Sequence, residues 1–163
     1  MVRPDATMIL RHLLLILSLC SLCLAADPFK VGDTIPAFAT KDQHEKAYNY
    51  EPGSLRLLLV AYEMGVGKDT NAWLAKQPVE LLGKHQAAFL ADIHPMPGIG
   101  RVFAMPKMRK YPHQIVLGDD EKLLERHPRK KGHLTVFSLD GKGTITEIRH
   151  IDPEKDLAKL FGS

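Results

Sequence analysis

The feature that most limits the fold of this chain is a short, almost wholly apolar run in its first half. It extends from Leu55 to Tyr62 and contains the stretch Leu57-Leu58-Leu59-Val60-Ala61. A run of this length and composition is typical of a β-strand that is buried on both faces. Such strands lie at the centre of largely parallel sheets that helices cover on both sides. The run therefore predicts an α/β fold.

Further strands and helices are predicted on the carboxyl-terminal side of this run. Strands are expected over residues 87–93, 113–117, 134–139 and 144–151. A sharp turn is expected over residues 64–68, with Asp69 or Thr70 as the cap of the helix that follows and Pro78 as a kink within it. Two more helices are expected over residues 102–111 and 153–161.

Two hairpins complete the predicted topology. The first consists of a strand over residues 31–38, a loop over 41–45 and a returning strand over 46–50. The second turns at Asp140-Gly141, between two β-branched runs. Alternation of strands and helices favours parallel pairing, and the late hairpin adds an antiparallel edge. The order is that of a thioredoxin-like fold, a central mixed sheet flanked by helices, with an N-terminal hairpin extension.

The first 26 of the 163 residues resemble a secretory signal peptide. Arg3 and Arg11 precede an apolar run of about a dozen residues, which is too short for a membrane-spanning helix of roughly 20. Small residues follow at Ala25-Ala26. We therefore expect a leader over residues 1–26, one thioredoxin-like domain over 27–163, a periplasmic or secreted location, and no transmembrane segment after leader removal.

Both cysteines of the chain, Cys20 and Cys23, fall within this leader. Their C-x-x-C spacing occurs in redox motifs, but inside a leader they are expected to be apolar filler. A lipoprotein anchor at Cys20 is the alternative, although Leu19 is large for the position before a lipidated cysteine. An exported form without cysteine cannot be a thiol oxidoreductase or a thiol peroxidase, because the thiolate is the nucleophile in both reactions.

The charge balance excludes one class of partner. Loss of Arg3, Arg11 and Asp5 with the leader takes the formal net charge from +3 to +2. So small a charge gives no general attraction to nucleic acid. We predict no nucleic-acid partner and no cofactor.

Several short motifs resemble known proteins. Val31-Gly32-Asp33, followed by Ile35-Pro36 and Phe38, resembles the opening of peroxiredoxin and thioredoxin-like domains. A closer resemblance, to the YtfJ family of bacterial periplasmic proteins, is carried by Pro97-Gly98-Ile99-Gly100, Val102-Phe103, Tyr111-Pro112 and Val136-Phe137-Ser138-Leu139-Asp140 with Gly143. The resemblance implies a periplasmic location and a thioredoxin-like fold. It implies no activity, substrate or site.

The chain departs from redox-active relatives at two positions. Those relatives carry a reactive cysteine in the turn after the first central strand, where this chain has Met64-Gly65-Val66-Gly67-Lys68. They also carry a cis-proline before the late hairpin, where Leu134 stands here. The sequence therefore has neither the reactive cysteine nor the cis-proline at the matching positions.

The same turn is a candidate anion site. Gly65, Gly67 and Lys68 would offer backbone amides and a positive charge at a helix start. They do not form a P-loop, because Tyr62 and Asp69 stand where that motif requires Gly and Ser or Thr. The alternative is a tight turn that Asp69 already caps, since its charge would repel an anion.

A second candidate is a copper site. Imidazole and thioether ligands suit copper, particularly Cu(I). The chain offers such side chains within twenty residues, namely His94, Met96, Met105, Met108 and His113. The alternative is that Met105 and Met108, three residues apart on one helix, fill the core.

A third candidate is the densest basic run, which extends from Arg126 to Lys131. Its charged members are Arg126, Arg129, Lys130 and Lys131. Because the run directly precedes the strand at Leu134, this fold places it near the vacated redox site. It would suit an acidic partner or an anionic head group, and a solvated loop is the alternative.

These observations favour a non-catalytic binding or protein-interaction module of the cell envelope, with an envelope protein as its partner. The alternative hypothesis is a carrier or enzyme that uses copper or a small anion at the vacated site.

The leader generates a direct prediction. We expect the exported protein to begin near Ala26 or Asp27, because the short apolar core ends in small residues there. Intact-mass measurement of periplasmic material tests the prediction. A lipid-modified Cys20 or a retained leader would contradict it.

Overall fold

A computed structural model describes residues 27–162, so the predicted leader lies outside the described residues. The strands are β1 (Phe38–Asp42), β2 (Ala47–Tyr50), β3 (Leu57–Ala61), β4 (Ala87–Asp92), β5 (Val116–Gly118), β6 (Leu134–Leu139) and β7 (Ile145–Ile151). The helices in this part of the chain are α1 (Met64–Leu74), α2 (Leu81–Lys84), α3 (Gly98–Met108), α4 (Glu121–Leu124) and α5 (Pro153–Phe161).

All seven strands form one mixed sheet in the order β2-β1-β5-β4-β3-β6-β7. The centre is parallel, because β4 pairs in parallel with both β3 and β5. The hairpins β1–β2 and β6–β7 add antiparallel strands on either side of this centre. The predicted α/β class, the mixed sheet and the N-terminal hairpin extension are confirmed.

The sheet is buried on both faces, as the apolar run predicts. Alternate side chains of β3 enter two separate cores: Leu59 and Ala61 one, Leu58 and Val60 the other. Helices α1, α3 and α5 cover the first face, which contains Val66, Leu74, Met108, Leu157 and Phe161. Helix α4 and the segment before β1 cover the second face, which contains Phe29, Ile35 and Leu124.

Within residues 27–162, no helix combines the length and the apolar character that crossing a membrane requires.

The first strand of the N-terminal hairpin lies later in the chain than predicted, whereas the returning strand β2 agrees with the prediction within one residue. Strand β1 begins at Phe38, and the predicted strand over 31–38 is wrong apart from a single bridge between Thr34 and Thr144. The carboxylate of Asp42 accepts hydrogen bonds from the amides of His44 and Lys46, at 2.8 and 3.1 Å. This local bonding fixes the turn at the end of β1, so the strand precedes the turn directly.

Helix α1 also begins earlier than predicted. The sharp turn expected over residues 64–68 is wrong, because those residues already have helical bonding and the amide of Gly67 donates to the carbonyl of Glu63 at 2.9 Å. Glu63, in an extended conformation, is the N-cap, and Asp69 is not. The helix ends at Leu74, before Pro78, so that proline separates two helices instead of kinking one.

Other elements also differ from the prediction. Helix α3 extends over Gly98–Met108, so it starts four residues before the predicted helix, with Pro97 as its N-cap, and ends three residues before it. Strand β5 is shorter and lies over Val116–Gly118. Helix α4, which Asp120 caps by accepting from the amide of Lys122 at 3.0 Å, was not predicted. Strands β4, β6 and β7 and helix α5 agree with the prediction within one residue.

The helix caps give a paired prediction. Asp152 accepts from the amide of Glu154 at 3.0 Å at the start of α5, whereas Asp69 lies within α1. We expect Asp152→Ala to lower the free energy of unfolding by about 0.5–2 kcal/mol. Asp69→Ala should change it by less than about 0.5 kcal/mol, because it removes no cap. Urea denaturation of both variants measures the difference, and an equal loss would contradict the assigned helix start.

Candidate binding site

The candidate site lies where the central parallel strands end and the covering helices begin. Strands β3 and β4 end side by side, at Ala61 and Asp92. Helices α1 and α3 follow these strands on the same face of the sheet. In open α/β sheets, ligands bind outside the carboxyl ends of the strands.

A groove of about 470 Å³ separates α1 from α3 at this edge of the sheet. Ala61, Ala91 and Asp92 contribute the strand ends. The helices and the loop before α3 contribute Met64, Lys68, Met96, Phe103, Lys107 and Met108. The groove is therefore largely apolar, with two lysines in its walls.

Apolar side chains at the groove are exposed to an unusual extent. Met64 is 72% exposed on the α1 side and Phe103 is 67% exposed on the α3 side. Ile99 and Val102 are also exposed on α3, where they adjoin Phe103 without lining the groove themselves. Clustered exposed apolar side chains of this size mark interaction sites more often than scattered ones do.

Glu63 ties the loop that contains the basic run to the start of α1. Its side chain makes no cap bond, and its Oε1 accepts from the backbone amide of Gly132 at 2.9 Å. Gly132 has a φ of +71°, a conformation that glycine adopts without strain. The contact places the segment before Leu134 against the start of α1.

A second connection between the loop and the groove passes through Asp92. The Asp92 side chain is 1% exposed, and Arg129 Nη2 lies 3.6 Å from its Oδ2. The Arg129 guanidinium also lies over the Tyr62 ring, 4.7 Å from its centroid. Burial raises the pKa of the Asp92 carboxyl group above its usual value.

The predicted anion residues lie at this site, in a helix instead of a turn. Gly65 and Gly67 belong to the first turns of α1, and the Gly67 amide is already bonded to the Glu63 carbonyl. Lys68 lines the groove. Because the Glu63 carboxylate stands at the helix start, its charge opposes an anion there.

The predicted copper ligands do not lie on one surface. Met96 and Met108 line the groove, but Met105 lines a different depression with Arg101 and Arg109. His94 Nδ1 lies 3.4 Å from the carbonyl oxygen of Asp119. His113 is buried, with its Nε2 2.8 Å from Asn71 Oδ1. In the described part of the chain, no three His, Cys, Asp or Glu side chains are grouped as metal ligands.

In the predicted basic run, the two arginines have ion-pair partners and the two lysines differ from them. Arg126 pairs with Asp33 at 3.2 Å and stacks on Phe29, so it holds the N-terminal segment. Arg129 pairs with Asp92. Among residues 27–162, neither Lys130 nor Lys131 has a carboxylate within 4.0 Å. These two lysines are the members of the run that an acidic partner can use.

Sequence reasoning missed Asp92 and the exposed face of α3. A signal existed for both. Asp92 directly follows a buried apolar strand, and Ile99, Val102 and Phe103 recur at three-to-four spacing. Such spacing predicts one helix face, but it does not tell whether that face points to the core or away from it.

Comparison with known proteins shows the fold and nothing finer. No protein-family model and no curated protein sequence matches the chain. Among solved structures, the thioredoxin domain of a thiol-disulfide oxidoreductase from Bacteroides vulgatus is 14% identical, covers 83% of this chain and 99% of its own, and superposes with a TM-score of 0.52. A mutant of PrxQ from Xylella fastidiosa is 10% identical, covers 84% and 96%, and has a TM-score of 0.58. A peroxiredoxin-like protein from Aquifex aeolicus is 11% identical, covers 85% and 87%, and has a TM-score of 0.54. The chain has a thioredoxin-like fold.

Two buried histidines make this domain sensitive to acid. His113 and His127 are 3% and 5% exposed, and burial lowers the pKa of each from 6.5 to about 4. Both ring nitrogens of His127 lack a hydrogen-bond partner among the described residues, and the ring meets Phe29 and Phe137 edge to face. The imidazolium form is therefore poorly accommodated in the folded state.

The sign of the pH dependence follows from these pKa values. Between about pH 6.5 and pH 4 the unfolded chain binds protons that the folded chain does not, so the free energy of unfolding falls as the pH falls through this window. A shift of this size corresponds to roughly 3 kcal/mol for each histidine. Between pH 7 and pH 4, the free energy of unfolding should fall less for the His127→Leu variant than for the wild type. Urea denaturation at each pH measures it. His44→Gln, at an exposed histidine, is the matched control, and equal slopes for all three proteins would contradict the prediction.

Proposed function

We propose that this protein is an exported, non-catalytic binding module that holds an envelope protein at the site where thioredoxin-fold enzymes carry their cysteine. The observation that carries the proposal is the groove between α1 and α3. It opens at the helix start that faces the loop before β6, and it presents Met64 and Phe103 to solvent.

The chemistry of the site supports binding over thiol catalysis. The sequence has no cysteine after Cys23, and Met64 to Lys68 occupy the helix start. The negative Glu63 carboxylate beside the first turn would also disfavour a thiolate there. What remains is an apolar groove with lysines in its walls and a basic loop tied next to it.

Support for export and for membership of the YtfJ family comes from the sequence. The leader-like first 26 residues support the first, and the ordered motifs from Pro97 to Gly143 support the second. Two of these motifs, Pro97-Gly98-Ile99-Gly100 and Val102-Phe103, lie at the start of α3 and beside the groove. Two of the four motifs that carry the resemblance therefore lie at the proposed binding surface.

Site-specific photo-crosslinking in the native envelope tests this function. A photoreactive residue is placed at Phe103 in the groove, at Lys131 in the loop, or at Lys142. Lys142 is the matched control, because it is exposed in the β6–β7 turn, next to Arg56 at the opposite end of β3. We expect a discrete protein adduct from Phe103 and Lys131 and none from Lys142.

The charge dependence of the adduct separates specific binding from chance proximity. Charge reversal by Lys130→Glu with Lys131→Glu should weaken the Phe103 adduct and reduce its salt dependence, because exposed charges are screened beyond about 8–10 Å at physiological salt. Adducts of equal yield from Phe103 and Lys142, or no adduct from either site position, would refute the proposal.

A further inference from the structure

We infer that the groove between α1 and α3 takes an acidic, amphipathic protein segment, whose apolar side chains lie against Phe103 and Met64 and whose carboxylates lie near Lys68 and Lys107. The inference rests on the proposed function and names the chemistry of the partner.

The apolar part of the inference comes from α3. Of its eleven residues only Met108 is buried, although its sequence is rich in apolar residues. Ile99, Val102 and Phe103 are 74%, 68% and 67% exposed, and their three-to-four spacing places them on one face. The helix therefore has an apolar face without a partner in the described domain, and Phe103 at the edge of this face lines the concave groove.

The acidic part comes from the balance of charges around the groove. Glu63 keeps its negative charge, because the Gly132 amide that donates to it is neutral, whereas Asp92 is paired with Arg129. The two lysines of the groove are not paired, because neither Lys68 nor Lys107 has a carboxylate within 4.0 Å among residues 27–162. With Arg129 included, three positive side chains stand against two carboxylates, and this excess of one positive charge favours a partner with carboxylates.

Two other occupants fit these observations less well. In a symmetric dimer through this face, Lys68 and Lys107 would meet a surface with the same excess of positive charge. The phosphates of an anionic membrane would attract the two lysines, but a bilayer binds apolar faces that protrude from a protein. A bilayer would leave the concave groove of about 470 Å³ unfilled. A peptide segment can enter the groove and reach both lysines.

A peptide-display selection on the purified protein tests the inference. The probe is a library of random peptides of about 14 residues, roughly four helical turns. We expect the enriched peptides to combine apolar residues at three-to-four spacing with Asp or Glu. Their affinity should fall about tenfold or more with Phe103→Asp, and also with the double variant Lys68→Glu and Lys107→Glu. Val79→Asp is the matched control, because Val79 is 52% exposed but lies outside the groove.

Each alternative result assigns the face to something else. Enriched peptides without carboxylates, or no enrichment above a Phe103→Asp bait, would overturn the inference. So would binding to phosphatidylglycerol vesicles, or a concentration-dependent dimer, that Phe103→Asp abolishes and Val79→Asp retains. The proposed function is judged separately: groove adducts in the envelope together with non-acidic selected peptides would leave it standing and remove the inference alone.

Discussion

The fold depends on burial of one strand from both sides. Strand β3 places Leu58 and Val60 in one core and Leu59 and Ala61 in the other, and its two neighbours, β4 and β6, satisfy its backbone. Because neither face of this strand tolerates water, helices must cover the sheet on one side, and α4 and the N-terminal segment must cover it on the other. The other strands and helices of the domain supply this cover for β3.

The same requirement creates the site. A strand buried on both faces returns to the surface only at its ends, and at the carboxyl end of β3 the chain enters α1 through Glu63. Where a redox relative would use the helix start to stabilise a thiolate, this chain uses a carboxylate to hold the Gly132 amide. Arg129 holds Asp92 from the same loop. The carboxyl end of β3 therefore carries a set of polar connections beside an apolar groove, and the proposed binding role rests on this arrangement.

The fold was predicted from the sequence more completely than the site was. Buried strands such as β4 and β6 were predictable because their apolar runs have one physical explanation. The start of α1 was not, since Gly65 and Gly67 are typical of a turn, and only the extended Glu63 and the Gly67–Glu63 hydrogen bond make them helical. The copper hypothesis grouped residues by distance along the chain, but His113 turns inward to Asn71 while His94 stays at the surface. The three-to-four spacing on α3 indicated a helix face, but its exposure was not predictable, because periodicity does not reveal what a face touches.

The attachment of the N-terminal segment has a consequence for how the chain is made. Phe29 donates its amide to the carbonyl of Arg126 at 2.6 Å, and its ring meets His127 and Phe137. A ribosome produces Phe29 near the start of the domain and Phe137 near its end. Phe29 therefore has no native surface to pack against until most of the domain has been synthesised. Strand β3 likewise cannot pair with β6 until that late strand is available. Contacts between such distant segments slow folding and leave apolar runs open to aggregation.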